Sequence, residues 1–205
     1  METRRGVRGS LLAFYRWAVA AGRTDANPAE ALPRVRPATP SPRPAAEIAY
    51  REALSRADER GRLMLRLAAE AGLRRAEVAQ AHSRDLVQDL EGWSLVVHGK
   101  GGRQRVIPLT DSLAAAIRAR GRGYLFPGRD NGHLSPRWVG KIVTTLLPGD
   151  TTMHQLRHRF ATRAYSVDRD VFTVQELLGH ASPATTRRYV MVPSSALRAT
   201  VAAVA

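Results

Sequence analysis

The chain has 205 residues, 44% of them hydrophobic, and no cysteine. That length leaves room for one full domain and a small appendage, and the apolar content is enough for a packed core. Wholesale disorder is excluded, as are disulfides, thiolate metal sites and cysteine nucleophiles. Lysine and arginine number 32 against 18 acids, a formal charge of +14. An excess of that size favours a polyanionic partner over a merely solvated surface, because every phosphate neutralised releases counterions. Most of it is arginine, whose planar fork suits phosphate.

Residues 4–21 predict one amphipathic helix, with Leu11, Leu12, Phe14, Tyr15, Ala18 and Val19 on its apolar side and Trp17 nearby. Such a helix needs partners to bury that side. Asn27-Pro28 ends the segment. A proline-rich stretch follows, with prolines at 33, 37, 40, 42 and 44 and with Arg34, Arg36 and Arg43 along it. It reads as an extended, semi-stiff linker. Helices are expected over 46–57 and 60–70, the second stopping at Ala71-Gly72, and a third from about Arg75. Residues 93–98 and 104–109 read as two β-strands flanking a glycine-rich hairpin loop, 99–103. Pro108 marks the second strand as an edge or an ending. Further helices are expected over 111–120, 135–146, 152–165 and 171–178. Ser135-Pro136 is a cap-then-proline start and Gly179 a helix stop. Ser182-Pro183 reads as the start of another short helix, and Ser194 is expected to cap a last one carrying Leu197, Val201 and Val204. The expected fold class is mainly α with a small antiparallel β-sheet. No apolar run approaches about 18 residues, so no membrane span is expected. The N-terminus, METRRGVRGSLLAFYRW, lacks a signal peptide's apolar centre, which points to the cytoplasm.

Four places could do chemistry. His154 and His158 stand four apart on a predicted helix, a spacing that can hold zinc; the zinc protease pattern, however, needs glutamate where Gln155 stands, and no third ligand is near. No metal site is expected. Arg157 shares their face, and two imidazoles beside a guanidinium repel unless an anion sits among them. Arg74 follows a glycine turn at a helix start, where free backbone N–H groups already favour anions; alternatively it is a surface arginine paired with Glu70 or Glu77. Lys100, Arg103 and Arg105 lie in the segment HGKGGRQR, either a solvated loop or a tip that reaches a DNA groove. Tyr189 stands nine residues after His180. A phenol is only about one part in a thousand ionised at neutral pH, and becomes a nucleophile when cations stabilise its phenolate or a base takes its proton.

In order, the segments AGLRRAEV, HGKGGRQRVIPL, HQLRHRFAT and LLGHASPATTRRY resemble the tyrosine recombinases, or phage-type integrases, across almost the whole chain. The resemblance implies the catalytic set Arg74, Lys100, His154, Arg157, His180 and Tyr189. It also implies supporting roles for Glu77, beneath the first arginine, and for His158, beside the second. Tyr189 would attack a DNA phosphate to give a 3′-phosphotyrosyl link and a free 5′-hydroxyl, Lys100 would protonate the leaving oxygen, and no metal, ATP or other cofactor would be required. DNA contacts are expected from Arg34, Arg36, Arg43, Arg75, Arg103 and Arg105. The implied partners are double-stranded DNA, three further copies in a homo-tetramer on two DNA segments, and accessory DNA-bending or directionality proteins.

By the same resemblance, residues 1–36 are the end of a helical core-binding domain, 37–45 the linker and 46–205 the catalytic domain. The earlier clamp helices of that domain are not seen, so a non-catalytic DNA binder is the alternative to a recombinase. Within the recombinase reading, phage or prophage integration and chromosome-dimer resolution share these motifs.

Overall fold

The structure is a computed structural model, and it describes residues 2–35 and 42–179. The expected helices after 179, together with His180, Tyr189 and Arg36, lie outside the described residues. The chain divides into two compact units, Met1–Pro40 and Ser41–Ala205.

In the first unit α1 (Glu2–Ala20) is followed by a short 3₁₀ turn, Pro28–Ala31. Asn27 caps that turn by accepting the Ala29 N–H at 3.1 Å, and its side-chain amide reaches back to the Leu12 carbonyl at 3.5 Å. Arg8 donates to the Leu32 carbonyl at 3.2 Å. Among the described residues of the unit only Ala18 and Ala29 are buried hydrophobics, while Phe14 and Trp17 remain more than half exposed. The apolar side read from the sequence is therefore present but hardly covered by its own unit.

The second unit holds the core. Its helices are α2 (Glu47–Arg56), α3 (Glu59–Glu70), α4 (Arg75–Gln80), α5 (Asp111–Arg118), α6 (Pro136–Leu146), α7 (Met153–Asp168) and α8 (Val171–Leu178). The strands β1 (Leu86–Asp89), β2 (Gly92–His98) and β3 (Gln104–Leu109) form one antiparallel sheet in that order. A fourth short strand, β4 (Pro127–Asp130), bridges to His133 outside that sheet. The central element is α3. Leu63, Met64, Leu65, Leu67, Ala68 and Ala69 are all buried, so it is wrapped on nearly every side, including by α7. Among the described residues no helix is long and apolar enough to cross a membrane.

Local chemistry sets the element ends. Asp58 caps α3 by accepting the Gly61 N–H at 2.7 Å, and Ser135 caps α6 through the Trp138 N–H at 3.3 Å with Pro136 at the first helical position. Gly179 ends α8 in the left-handed conformation. Pro108 falls on β3, an edge strand, where its missing N–H costs no ladder bond. Two strands escaped the sequence reading. In β1 the residues Val87, Gln88 and Asp89 are all exposed, so no apolar alternation marks it. It exists because Asp89 accepts the N–H groups of Glu91 and Gly92 at 2.8 and 3.1 Å, which turns the chain into β2.

Candidate active site

The site is built where the turn after α3 meets the start of α7 and the end of α8. Gly72 takes the chain through φ = 64°, and Arg74 then precedes the first turn of α4. Glu77, one turn in, folds back on that start. It accepts the Arg74 backbone N–H at 2.8 Å and Arg74 Nη1 at 2.7 Å. Of the two partners open to Arg74 in the sequence, Glu77 is the one used. Glu70 instead accepts from Tyr50 at 2.7 Å and from Arg66 at 2.9–3.1 Å. The Arg74 side chain is 40% exposed while Glu77 is 4% exposed, so a buried carboxylate holds a guanidinium that still faces solvent.

Glu77 has two further cations. Arg105 donates to its two oxygens at 2.9 and 2.8 Å, and Arg157 Nη1 stands 3.8 Å away. Burial pushes the Glu77 carboxyl up. The hydrogen bonds and charge of Arg105, then the backbone and side-chain bonds from Arg74, outweigh it and hold the group at about 2.

Arg157 comes from the first turns of α7 and is 1% exposed. Its Nη1 donates to the Gly72 carbonyl and its Nη2 to the Leu178 carbonyl at 2.7 Å. It therefore joins the α3–α4 turn to the end of α8. His154 and His158 lie on the same side of α7, their ring centroids 4.7 Å apart in an edge-to-face arrangement. His154 is exposed at the cleft and His158 is buried. Gln155 occupies the position where a zinc protease carries its glutamate; it spends its side-chain oxygen on the Thr152 N–H at 2.9 Å, closing the helix start.

Partial loss of hydration lowers the His154 pKa, and the charges of Arg157 and Arg74 lower it further. His158 is held at about 4 by burial, then by His154 and Arg157. Both rings are thus neutral at pH 7. The unfolded chain takes up a proton at His158 near 6.5 that the folded chain refuses until about 4. Stability is accordingly expected to fall as pH drops through that window. Histidine ring NMR checks it: a His158 resonance titrating near 6.5 in the folded protein contradicts the burial argument.

Arg74, His154 and Arg157 line one cleft of about 1150 Å³ together with Arg75 from α4 and Arg137 and Lys141 from α6. Among the described residues lining it there is no carboxylate. A cleft with that lining favours a polyanion, and its low-dielectric walls focus the field. Arg137, Lys141 and Trp138 are residues that sequence reasoning missed. The signal was present: Arg137 and Lys141 stand four apart behind the Ser135-Pro136 cap, which places them on one helix face. The Lys141 ammonium lies 4.7 Å over the Trp138 ring.

The remaining expected contacts divide. Arg34, Arg43 and Arg103 are exposed, and so is Arg75, whose stem lies against Gly140. Lys100 begins a short 3₁₀ turn, Lys100–Gly102, between β2 and β3. Arg105 is a correction. It does not share the hairpin tip with Lys100 and Arg103. Its side chain is 8% exposed and faces inward on β3, held by Glu77 and by the Leu177 carbonyl at 2.8 Å. All three nitrogens of its fork are engaged within the fold.

Residues 46–195 match the model of the phage integrase family. The chain is 32% identical to the tyrosine recombinase XerC of Xanthomonas axonopodis pv. citri (strain 306) over 217 residues, covering 92% of this chain and 69% of that protein. Further XerC relatives are covered over 58–66% of their length, so the chain spans about three fifths to two thirds of the curated relatives it matches. Among solved structures it is similar to the integrase from mycobacterium phage Brujita, with a TM-score of 0.63, 27% identity and coverage of 96% of this chain and 76% of that one. It also shares its fold with a lambda integrase dimer bound to a COC′ core site, with a TM-score of 0.69, 23% identity and coverage of 90% and 58%.

Proposed function

Because the chain belongs to the phage integrase family of site-specific tyrosine recombinases, we propose that it cuts and rejoins double-stranded DNA through a covalent link at Tyr189. The observation that carries this reading is the convergence of Arg74, His154 and Arg157 on one cationic cleft, with no carboxylate among its described lining residues, although the first is far from the other two in sequence.

In the proposed reaction the scissile phosphate lies in that cleft. The Tyr189 oxygen attacks phosphorus, the bond to the 5′-oxygen breaks, and that oxygen leaves as a hydroxyl after taking a proton from Lys100. Arg74, aimed by Glu77, neutralises non-bridging oxygens as charge builds, a contribution worth about 10²–10³ in rate for one preorganised donor. Arg157 adds fixed positive charge at the cleft floor and secures the backbone on both sides. His154, neutral at pH 7, can accept the tyrosine's proton or donate a hydrogen bond to the phosphate; His180 is assigned the matching role. His158 supports His154. The bond energy stays in the phosphotyrosyl link, so a 5′-hydroxyl from a partner strand reverses the step with no cofactor.

The proposed substrate is duplex DNA, and four protomers on two duplexes are the proposed assembly, with accessory DNA-bending or directionality proteins as further partners. Residues 46–205 are the proposed catalytic domain, 37–45 the linker, and 1–36 the end of a core-binding domain. Arg34, Arg36, Arg43, Arg75 and Arg103 are proposed contacts to DNA. The finer role proposed is integration of a phage or prophage element. A second reading, chromosome-dimer resolution, is kept because the curated relatives carry the name XerC.

A suicide duplex nicked beside the cleavage point tests the chemistry. The expected result is a covalent protein–DNA adduct that disappears in Tyr189→Phe. Salt-sensitive binding with no adduct from the unaltered chain would instead identify a non-catalytic DNA binder. An adduct that survives in Tyr189→Phe removes that residue as the nucleophile.

A further inference from the structure

We infer that Arg105 is a positioning residue for DNA cleavage, a single guanidinium on β3 that holds Glu77 beneath Arg74 while fastening the carboxyl end of α8. The inference rests on the recombinase reading above.

All three nitrogens of the fork are engaged. Nη1 and Nη2 donate to the two separate oxygens of Glu77 at 2.9 and 2.8 Å, and Nε donates to the Leu177 carbonyl at 2.8 Å. A bidentate pair fixes the plane of a carboxylate as well as its place. Glu77 in turn fixes Arg74 through two bonds, one from its backbone and one from its side chain. The direction of the Arg74 guanidinium is therefore set by a carboxylate whose own plane is set by Arg105.

The other end of the contact concerns α8. The last carbonyls of a helix lack partners within it and carry the negative end of its dipole. This helix has no basic residue in its own last turn. Two arginines from elsewhere serve it instead: Arg105 takes the Leu177 carbonyl and Arg157 takes the Leu178 carbonyl. Gly179 follows with φ = 61°, and a Cβ there would lie 2.8 Å from the Arg105 Cδ. Glycine at 179 thus both turns the chain and makes room for the arginine. The next residue in the sequence is His180, which opens the segment that carries Tyr189. One side chain therefore ties the support of Arg74 to the point from which the proposed nucleophile's segment departs.

Arg105 also controls the protonation of Glu77. The charged and titratable groups facing that carboxylate are Arg74 at the start of its own helix, Arg105 from β3 and Arg157 from α7. Asp85 and His98, with Glu77 itself, line the small gap beside it. Of these, Arg105 supplies the strongest pull against burial. Without it, burial acts on Glu77 with only Arg74 and the more distant Arg157, among the described residues, in opposition. A protonated Glu77 no longer carries the charge that holds Arg74.

The test measures single-turnover adduct formation on the nicked duplex from about pH 3 to about pH 9 for the unaltered chain, Arg105→Lys and Arg105→Gln, with thermal unfolding followed at each pH. Arg105→Lys keeps the charge but not the fork, and a loss of about tenfold is expected. Arg105→Gln is expected to lose about a hundredfold or more, with its acid limb moved upward by about two pH units and partial recovery as pH rises. Its stability should depend less on pH between about 4.5 and about 2, because a Glu77 carboxyl raised toward its unfolded value contributes less over that window. If Arg105→Gln only unfolds more easily, and its folded fraction keeps the unaltered acid limb, the positioning role is overturned. If the unaltered chain makes no adduct, the recombinase reading fails and takes the cleavage role with it. The pH dependence of unfolding then reports separately whether Arg105 holds Glu77.

Discussion

Arg157→Lys is expected to slow DNA cleavage by about 10²–10³ and to lower stability by about 2–4 kcal/mol. The side chain is almost wholly buried, and its two terminal nitrogens serve two carbonyls on different elements, Gly72 in the turn before α4 and Leu178 at the end of α8. A lysine retains the charge but concentrates its donors on one atom at the end of a flexible stem. It can reach one of those carbonyls and leaves the other buried without its partner. The same change moves the positive charge relative to Glu77, from which Arg157 Nη1 now stands 3.8 Å. Denaturant midpoints separate the stability effect from the catalytic one, because adduct formation is measured where both proteins are folded. Cleavage at the unaltered rate by Arg157→Lys would show that the fork joining those two carbonyls is not needed for cleavage.

Much of this arrangement was legible in the sequence because its helices announce themselves by period and by ends. The α6 start at Ser135-Pro136 and the α8 stop at Gly179 are chemical signals that the structure obeys directly. The edge position of β3 follows from Pro108 in the same way. What escaped lacked such a signal or carried a misleading one. The exposed residues of β1 give no alternation to read, and only the Asp89 side chain, turning the chain toward Gly92, gave it away.

Arg105 is the more instructive case. Composition around it, with Gly101, Gly102, Arg103 and Gln104 before it, looks like a solvated loop. The strand period says otherwise. Arg105 and Ile107 are two apart and share a face, and Ile107 is buried, whereas Val106 between them is more than half exposed. Alternation was the better guide, and it would have placed Arg105 inside. The site shows the same division. Arg74, His154 and Arg157 could be named from spacing and resemblance, but the carbonyls that Arg157 bridges are contacts across the fold, and no local pattern encodes them.

Gly72→Ala should destabilise the protein by about 2–4 kcal/mol and reduce cleavage with it. The backbone here has φ = 64°, a conformation in which an added Cβ costs about 1 kcal/mol before any neighbour is considered. The neighbour adds more. A Cβ on residue 72 would lie 2.4 Å from Cδ1 of Phe160 and 2.8 Å from its Cε1. The ring is not a loose end that can step aside. It packs with the buried cluster of Ala161, Val174 and Leu178, so displacing it presses on α8 as well as α7. The carbonyl of the same glycine accepts from Arg157, which makes the turn part of the cleft floor. Strain introduced at this point therefore reaches Arg74 through the turn and Arg157 through both its bond and the Phe160 helix. A double variant separates the two costs. Phe160→Leu removes the ring, and in that background Gly72→Ala should cost only about the 1 kcal/mol of backbone strain, a coupling visible in a double-mutant cycle of denaturant midpoints. Equal costs in both backgrounds would mean that the ring yields freely and that Gly72 is required for its φ alone.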